Sequence, residues 1–241
     1  MLHKTRGIVL HSMPYSDKYT IIYIYTEQFG RVSYMISRSR GKRSGVSSSL
    51  FMPLSVIEME VEHKNNREIH RIREARACFP IMELSCNPVK NVIALFLAEV
   101  LFRVLKETQA DEALFAFLYE SVFLLESTDK SVANFHLVFL LHLLHYLGIF
   151  PNLDSYRFAS YFDMLNAVFV DAVPMHKYFL TPEESQVFAN LLRISFDNMH
   201  VYAFSRADRV GIVNRIIEYY RLHLPEFPEI KSIAVMQSLF D

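Results

Sequence analysis

A run of cations set in serine and glycine, Ser37-Arg-Ser-Arg-Gly-Lys-Arg-Ser-Gly-Val-Ser-Ser-Ser49, is the sharpest chemical feature of the 241-residue sequence. Arg38, Arg40, Lys42 and Arg43 put four positive charges in six residues. Arg31 lies just upstream, and no acid occurs between Glu27 and Glu58. Guanidinium forks fit phosphate oxygens and a Ser/Gly backbone bends freely, so the run can follow a nucleic-acid backbone without reading bases. Crowded cations repel one another and gain most from an anionic partner; as a solvated loop they would merely aid solubility. Tyr15, Tyr19, Tyr23, Tyr25, Phe29 and Tyr34 flank the run. Rings beside a basic groove form the usual single-strand platform, although a core is the ordinary place for any one of them.

Other chemistry finds little support. There is no nucleophile elbow, P-loop or dinucleotide fingerprint, so no catalytic residue is assigned. Cys78 and Cys86 are too few for a disulfide framework or an all-cysteine zinc site, and they point to a reducing cytosol. His142 and His145 stand one helical turn apart with no third ligand in view, so neither metal nor cofactor is expected. Arg206, Arg209 and Arg221 share an arc of a helix with Val210, Val213, Ile217 and Tyr220. That stripe either receives a peptide pairing a ring with carboxylates or packs in the core while the arginines reach water.

These residues must be positioned by two different halves. Residues 1–80 hold 13 Lys+Arg against 7 Asp+Glu and residues 81–241 hold 12 against 19, so the halves carry +6 and −7. The first half reads as five short strands, 4–13, 18–26, 29–37, 54–62 and 67–75, with Glu58, Glu60 and Glu62 alternating with Ile57, Met59 and Val61. Five strands fit an OB-fold or an SH3-like barrel. Beyond Pro80 the period becomes helical: 89–106, with Lys90, Glu99, Arg103 and Lys106 towards solvent, then 112–126 and 131–147. Helices also start at Thr181 and Ser205, and a last short one fits 229–240. Residues 148–180 lose any period and read as an irregular or short-stranded insertion. Ser131–Leu153 lacks formal charge, but Asn134, three histidines, Gly148 and Pro151 make it a buried core helix rather than a membrane span. The apolar start Gly7–Leu10 is too short for a signal-peptide core, so the mature chain is expected to begin at Met1. With 51% hydrophobic residues the chain folds rather than staying disordered.

One end of the chain carries Gly7-Ile8-Val9-Leu10, Pro14-Tyr15, Thr26, Gly30-Arg31, Leu50 and Pro53, and the other carries Tyr219-Tyr220-Arg221-Leu222-His223, Ile230-Lys231-Ser232-Ile233 and Leu239-Phe240. In this order the motifs resemble the RecO family of bacterial recombination mediators. The resemblance implies an α+β multidomain fold: a five-stranded OB-fold in 1–80 and an all-α domain in 81–241, with 148–180 a degenerate, metal-free zinc-ribbon-like insertion. It implies a non-catalytic mediator of DNA repair, cytoplasmic and nucleoid-associated. Such a protein binds single- and double-stranded DNA, anneals complementary strands and, with RecR, helps load RecA onto DNA coated by single-strand-binding protein. DNA would meet Arg31, Arg38, Arg40, Lys42 and Arg43. The acidic, phenylalanine-ended tail of single-strand-binding protein would dock in a pocket rimmed by Arg206, Arg209 and Arg221, or by Arg103 with Lys106. The alternatives are an OB-fold RNA-binding module without annealing and an unrecognised hydrolase using the 148–180 insertion. Many members carry four zinc-binding cysteines in the insertion, whereas here no cysteine follows Cys86. Packing of Tyr156, Phe158, Tyr161, Phe162 and Phe169 would then supply the insertion's cohesion.

Overall fold

A computed structural model describes residues 2–37, 47–64, 66–106, 109–129 and 132–239. The chain opens with strands β1 (Leu2–Pro14), β2 (Tyr19–Thr26), β3 (Gly30–Ser37), β4 (Val56–Glu62) and β5 (Ile69–Ala77). They close a barrel in the order β1-β2-β3-β5-β4, antiparallel except for the β3–β5 pair. This is the expected OB-fold. The alternation of β4 works as the sequence predicts: Met59 and Val61 join Val9, Ile22, Ile24, Val32 and Tyr34 in the barrel core. β1 pairs with β2 and with β4, and Gly7 sits at the crossing, opposite both Thr26 and Ile57. A Cβ there would fall 2.5 Å from Ile24 Cγ2 and 2.8 Å from Met59 Cε, so the closure needs glycine.

Helices follow: α1 (Met82–Cys86), α2 (Pro88–Val104), α3 (Glu112–Ser127), α4 (Val132–Tyr146), α5 (Pro182–Leu191), α6 (Arg206–His223) and α7 (Ser232–Leu239). Secondary structure turns from strand to helix between Ala77 and Met82, whereas compact packing divides the chain after Thr128. One unit comprises Met1–Thr128 with Ile230–Leu239; the other contains Asp129–Glu229.

In the first unit two residues expected in solvent are drawn inward. Lys90 is buried, because its ammonium donates to Glu126 O (2.9 Å) at the C-terminal end of α3 and lies 3.6 Å from Glu83. A cation there meets unpaired carbonyls and the negative end of the helix dipole. Glu99 accepts from the amides of Lys231 (3.1 Å) and Ser232 (2.8 Å) and from the Ser232 hydroxyl, capping the start of α7. Burial raises the Glu99 carboxyl's pKa, but these donors and Arg103 outweigh it and hold it below the usual carboxylate range.

In the second unit α4 is the central element. From Asn134 to Leu141, and again at Leu143 and Leu144, its residues are buried. That explains the charge-free stretch, and among the described residues no helix is long and apolar enough to cross a membrane. Helices start at Thr181 and Ser205 as expected, each closed by a capping box. Residues 148–180 contain the short strands β6 (Tyr161–Asp163), β7 (Val168–Val170) and β8 (Phe179–Leu180), in the order β7-β6-β8. Phe162 anchors them, with ring centroids 4.8 Å from Phe169 and from Phe188 and 6.0 Å from Tyr219. Phe158 was expected in this packing but is 86% exposed: the loop before β6 carries it outward.

Tyr219, Tyr220 and His223 on α6 each bond a distant backbone carbonyl: Ile149 (2.7 Å), Leu140 (2.8 Å) and Met164 (2.7 Å). The terminal motif of the sequence is therefore structural at these three positions. Tyr220→Phe keeps the packing and removes one buried hydrogen bond. It is expected to cost about 1 kcal/mol, read as a lower urea midpoint with unchanged slope.

Candidate nucleic-acid interface

An OB barrel commonly takes oligonucleotides on its second and third strands, beside the β1–β2 and β4–β5 loops. Here the chain's own helices cover part of that face. Tyr23 packs edge-on against Phe102 of α2 (centroids 5.0 Å apart), and Tyr25 lies 6.5 Å from Phe115 of α3. Arg31 completes the cover. Its Nη1 donates to Phe102 O and Leu105 O, both at 3.0 Å, and its guanidinium lies 4.4 Å above the Phe102 ring and 5.1 Å above Tyr23. These carbonyls end α2, where acceptors lack helical partners. Burial lowers the guanidinium's pKa, though it stays charged. Arg31 is thereby committed to α2.

The barrel end at the β1–β2 turn stays open. The amides of Tyr15 and Ser16 donate to Tyr19 O (3.0 and 3.1 Å), closing a tight turn that leaves Tyr15 60% and Tyr19 40% exposed. Lys18 is exposed between them. Tyr25 and Tyr34, by contrast, are buried. Tyr19 faces Ser37 across the β2–β3 ladder, so the chain leaves β3 towards the basic run beside these rings. Arg38, Arg40, Lys42 and Arg43 themselves lie outside the described residues. On the parallel side Met35 of β3 pairs with exposed Arg71 of β5, whose Cα is roughly 12 Å from that of Tyr19 by strand spacing and rise.

The remaining barrel cations sort by partner. Arg6 is paired with Glu27, Lys64 and Arg73 with Glu62, and Arg76 with Glu58. Lys4, Lys18, Arg67 and Arg71 have no acidic partner among the described residues. The open end thus offers two rings for bases and unneutralised cations for phosphates. Lys18 and Arg71 were not singled out from sequence; the signals for them were the Tyr-Ser-Asp-Lys-Tyr turn and the arginines spaced along β5.

Another edge of the barrel carries a stacked column. Phe29 and His63 lie 4.2 Å apart and His63 and His70 4.3 Å apart, nearly parallel. His70 Nδ1 accepts from the Lys64 amide (3.3 Å), so its proton sits on Nε2. Burial lowers the pKa of both imidazoles, and the neighbouring His70 and His3 add to the effect at His63. Among the described residues no three His, Cys, Asp or Glu converge as metal ligands. His142 Nε2 meets Ile194 O (2.9 Å) and His145 stacks on Phe150 (3.5 Å).

Of the cations expected to rim a peptide pocket, Arg103 lines an open groove of about 540 Å³ in the first unit. Leu95 and Val235, 42% and 53% exposed, form its apolar walls with Phe102, and Lys231 stands at its edge. Arg103 lies 5.4 Å over the Phe102 ring and 3.8 Å from Glu99. Lys106 is exposed but does not line the groove. On α6 the stripe belongs to the core: Val213, Ile217 and Tyr220 are buried. Arg206 and Arg221 are exposed, with Cα atoms about 22 Å apart along the helix, and Arg209 donates to Phe204 O (2.6 Å).

Comparison with known sequences agrees along the whole chain. The family model described as "Recombination protein O N terminal" matches residues 1–81, and "Recombination protein O C terminal" matches residues 87–232. The chain is similar to the DNA repair protein RecO of Azobacteroides pseudotrichonymphae, 43% identical over 241 residues. It is also similar to those of Phocaeicola vulgatus, 44% over 240 residues, and Porphyromonas gingivalis, 40% over 245 residues. In each case 100% of both chains is covered.

Proposed function

The chain belongs to the RecO family of DNA repair proteins, and on that premise we propose that it is a non-catalytic mediator that binds single- and double-stranded DNA and anneals complementary strands. With RecR it helps load RecA onto single strands coated by single-strand-binding protein, work done in the cytoplasm at the nucleoid. The observation that carries the DNA-binding part is the open barrel end, where exposed Tyr15 and Tyr19 stand beside Lys18, Arg71 and the start of the basic run. Arg38, Arg40, Lys42 and Arg43 supply phosphate contacts, and Arg31 acts indirectly by holding the end of α2. Mixing complementary fluorescent strands tests this reading. The protein should speed their pairing, and Tyr15→Ala with Tyr19→Ala should weaken single-strand binding by about 1–3 kcal/mol per stacked base. Tight RNA binding with no acceleration of DNA annealing would instead establish the RNA-module reading.

The groove between Arg103 and Lys231 suits the tail of single-strand-binding protein. Its walls are apolar, and two cations stand within reach of carboxylates although the chain beyond residue 80 is net acidic. Distant acids count little, because the Debye length is about 8 Å at physiological salt. Arg103→Ala is expected to weaken a labelled tail peptide about tenfold, ~1.4 kcal/mol. Unchanged affinity for both Arg103→Ala and Lys231→Ala would remove this groove from consideration and leave the exposed arginines of α6 to be tested.

A further inference from the structure

The second unit has an open groove of about 630 Å³ that the family reading leaves without a role. It lies between α5 and α6. Its floor is apolar and buried, formed by Leu180, Phe188 and Leu191, and Val187 on its α5 wall is 51% exposed. Each helix lines it with residues four apart: Glu183, Val187 and Leu191 on α5, and Ala207, Gly211 and Arg215 on α6. Rows spaced in this way are the ridges into which another helix packs. The α6 wall is low where Ala207 and Gly211 line it. A Cβ added at Gly211 would meet nothing within 4 Å, so the space above it is empty rather than filled by a neighbouring side chain.

Charge selects the occupant. Glu183, Glu184 and Asp208 stand on the rim, and among the described residues lining the groove the single cation is Arg215. That guanidinium is already shared between Glu184 (3.3 Å) and Glu218 (2.9 Å). The rim therefore keeps an excess of negative charge. The Arg103 groove offers the reverse, so the two do not compete for one ligand.

We propose that the α5–α6 groove docks a short helix of a partner polypeptide whose apolar residues recur every three to four positions and whose flanks carry Lys or Arg. Apolar anchors at i, i+4 and i+7 would fill the floor, and the basic flanks would face Glu183 and Asp208. Three helical turns span about 16 Å, close to the length of α5.

Selection from a random 14-residue peptide library displayed on phage, against the full-length protein, tests the proposal. Wild type should enrich peptides with helical apolar spacing and net positive charge, whereas Gly211→Leu should bind the enriched peptides at least tenfold more weakly. Leucine fits the helical backbone there, and an unchanged melting temperature would exclude unfolding as the cause. Val187→Lys, which alters the other wall, should act in the same direction, and Glu183→Lys should erase the preference for basic flanks. Enriched peptides bound equally by wild type and Gly211→Leu, or acidic peptides as the ones that Gly211→Leu and Val187→Lys weaken, would overturn it. So would sedimentation showing a wild-type dimer that Gly211→Leu dissociates, because the groove would then hold a second copy.

Discussion

Replacing Arg38, Arg40, Lys42 and Arg43 together by alanine is expected to weaken single-stranded DNA binding by about 10²–10³-fold near 0.1 M salt. Each phosphate contact on a single strand contributes a slope of about −0.7 in log affinity against log salt, so four contacts give about −3 and their loss should flatten the plot by that amount. Both flanks of the run are fixed to the barrel. Ser37 pairs with Tyr19, and Ser47 caps a short turn that buries Phe51 in the barrel core. The substitutions change charge in a segment whose two ends stay anchored, and stability should barely move. Arg31 is left out because its loss would free two carbonyls of α2 and confound affinity with folding. Equilibrium titrations between about 50 and 200 mM salt decide the matter. An unchanged slope would mean that the phosphates are met elsewhere, with Lys18 and Arg71 the next cations to remove.

Acid should unfold the second unit through one residue. His136 lies in the middle of α4 with 1% of its surface exposed. Burial pulls its pKa down to about 3, and the charge of Arg209 adds to the shift. In the unfolded chain the same imidazole takes up its proton near pH 6.5. Between those values the unfolded state binds more protons than the folded one, so stability is complete above pH 6.5 and is lost as pH falls. The loss amounts to about 2 kcal/mol at pH 5 and about 4 kcal/mol at pH 3. That is a large fraction of the 5–15 kcal/mol that holds a typical domain together. His63 and His70 push the barrel in the same direction, since their folded values are lowered too. Urea titrations of wild type and His136→Leu at pH 7 and pH 5 isolate the effect, because all other groups are shared. Parallel pH dependence in the two proteins would refute it.

The features legible in the sequence are those that repeat locally. Alternating acids in β4, capping pairs at Thr181 and Ser205 and the three-to-four spacing of α2 are written into neighbouring residues, and each forms as expected. Lys90 and Glu99 went astray for the opposite reason. Their partners lie 36 and up to 133 residues away, and a helical period assigns a charged residue to solvent unless some distant group meets it. Arg31 reads as one more cation of a basic half until the end of α2, more than 70 residues on, claims it. The hydroxyls of Tyr219 and Tyr220 reach carbonyls 70 and 80 residues back, which no spacing announces. At the candidate interface the basic run was plain from composition, whereas Arg71 needed the β3–β5 pairing to bring it beside the rings.

The cap that Glu99 places on α7 also sets an order of events during synthesis. A ribosome finishes α2 long before it makes the amides of Lys231 and Ser232, which lie 132 and 133 residues downstream of Glu99. Until then the carboxylate of Glu99 and the α7-facing side of α2 wait in water, while the whole of Asp129–Glu229 is made in between. The first unit is begun first and completed last. A nascent chain stalled before Ile230 therefore exposes a half-built surface to chaperones and proteases, and a frameshift that removes only α7 does more harm than its eight residues suggest.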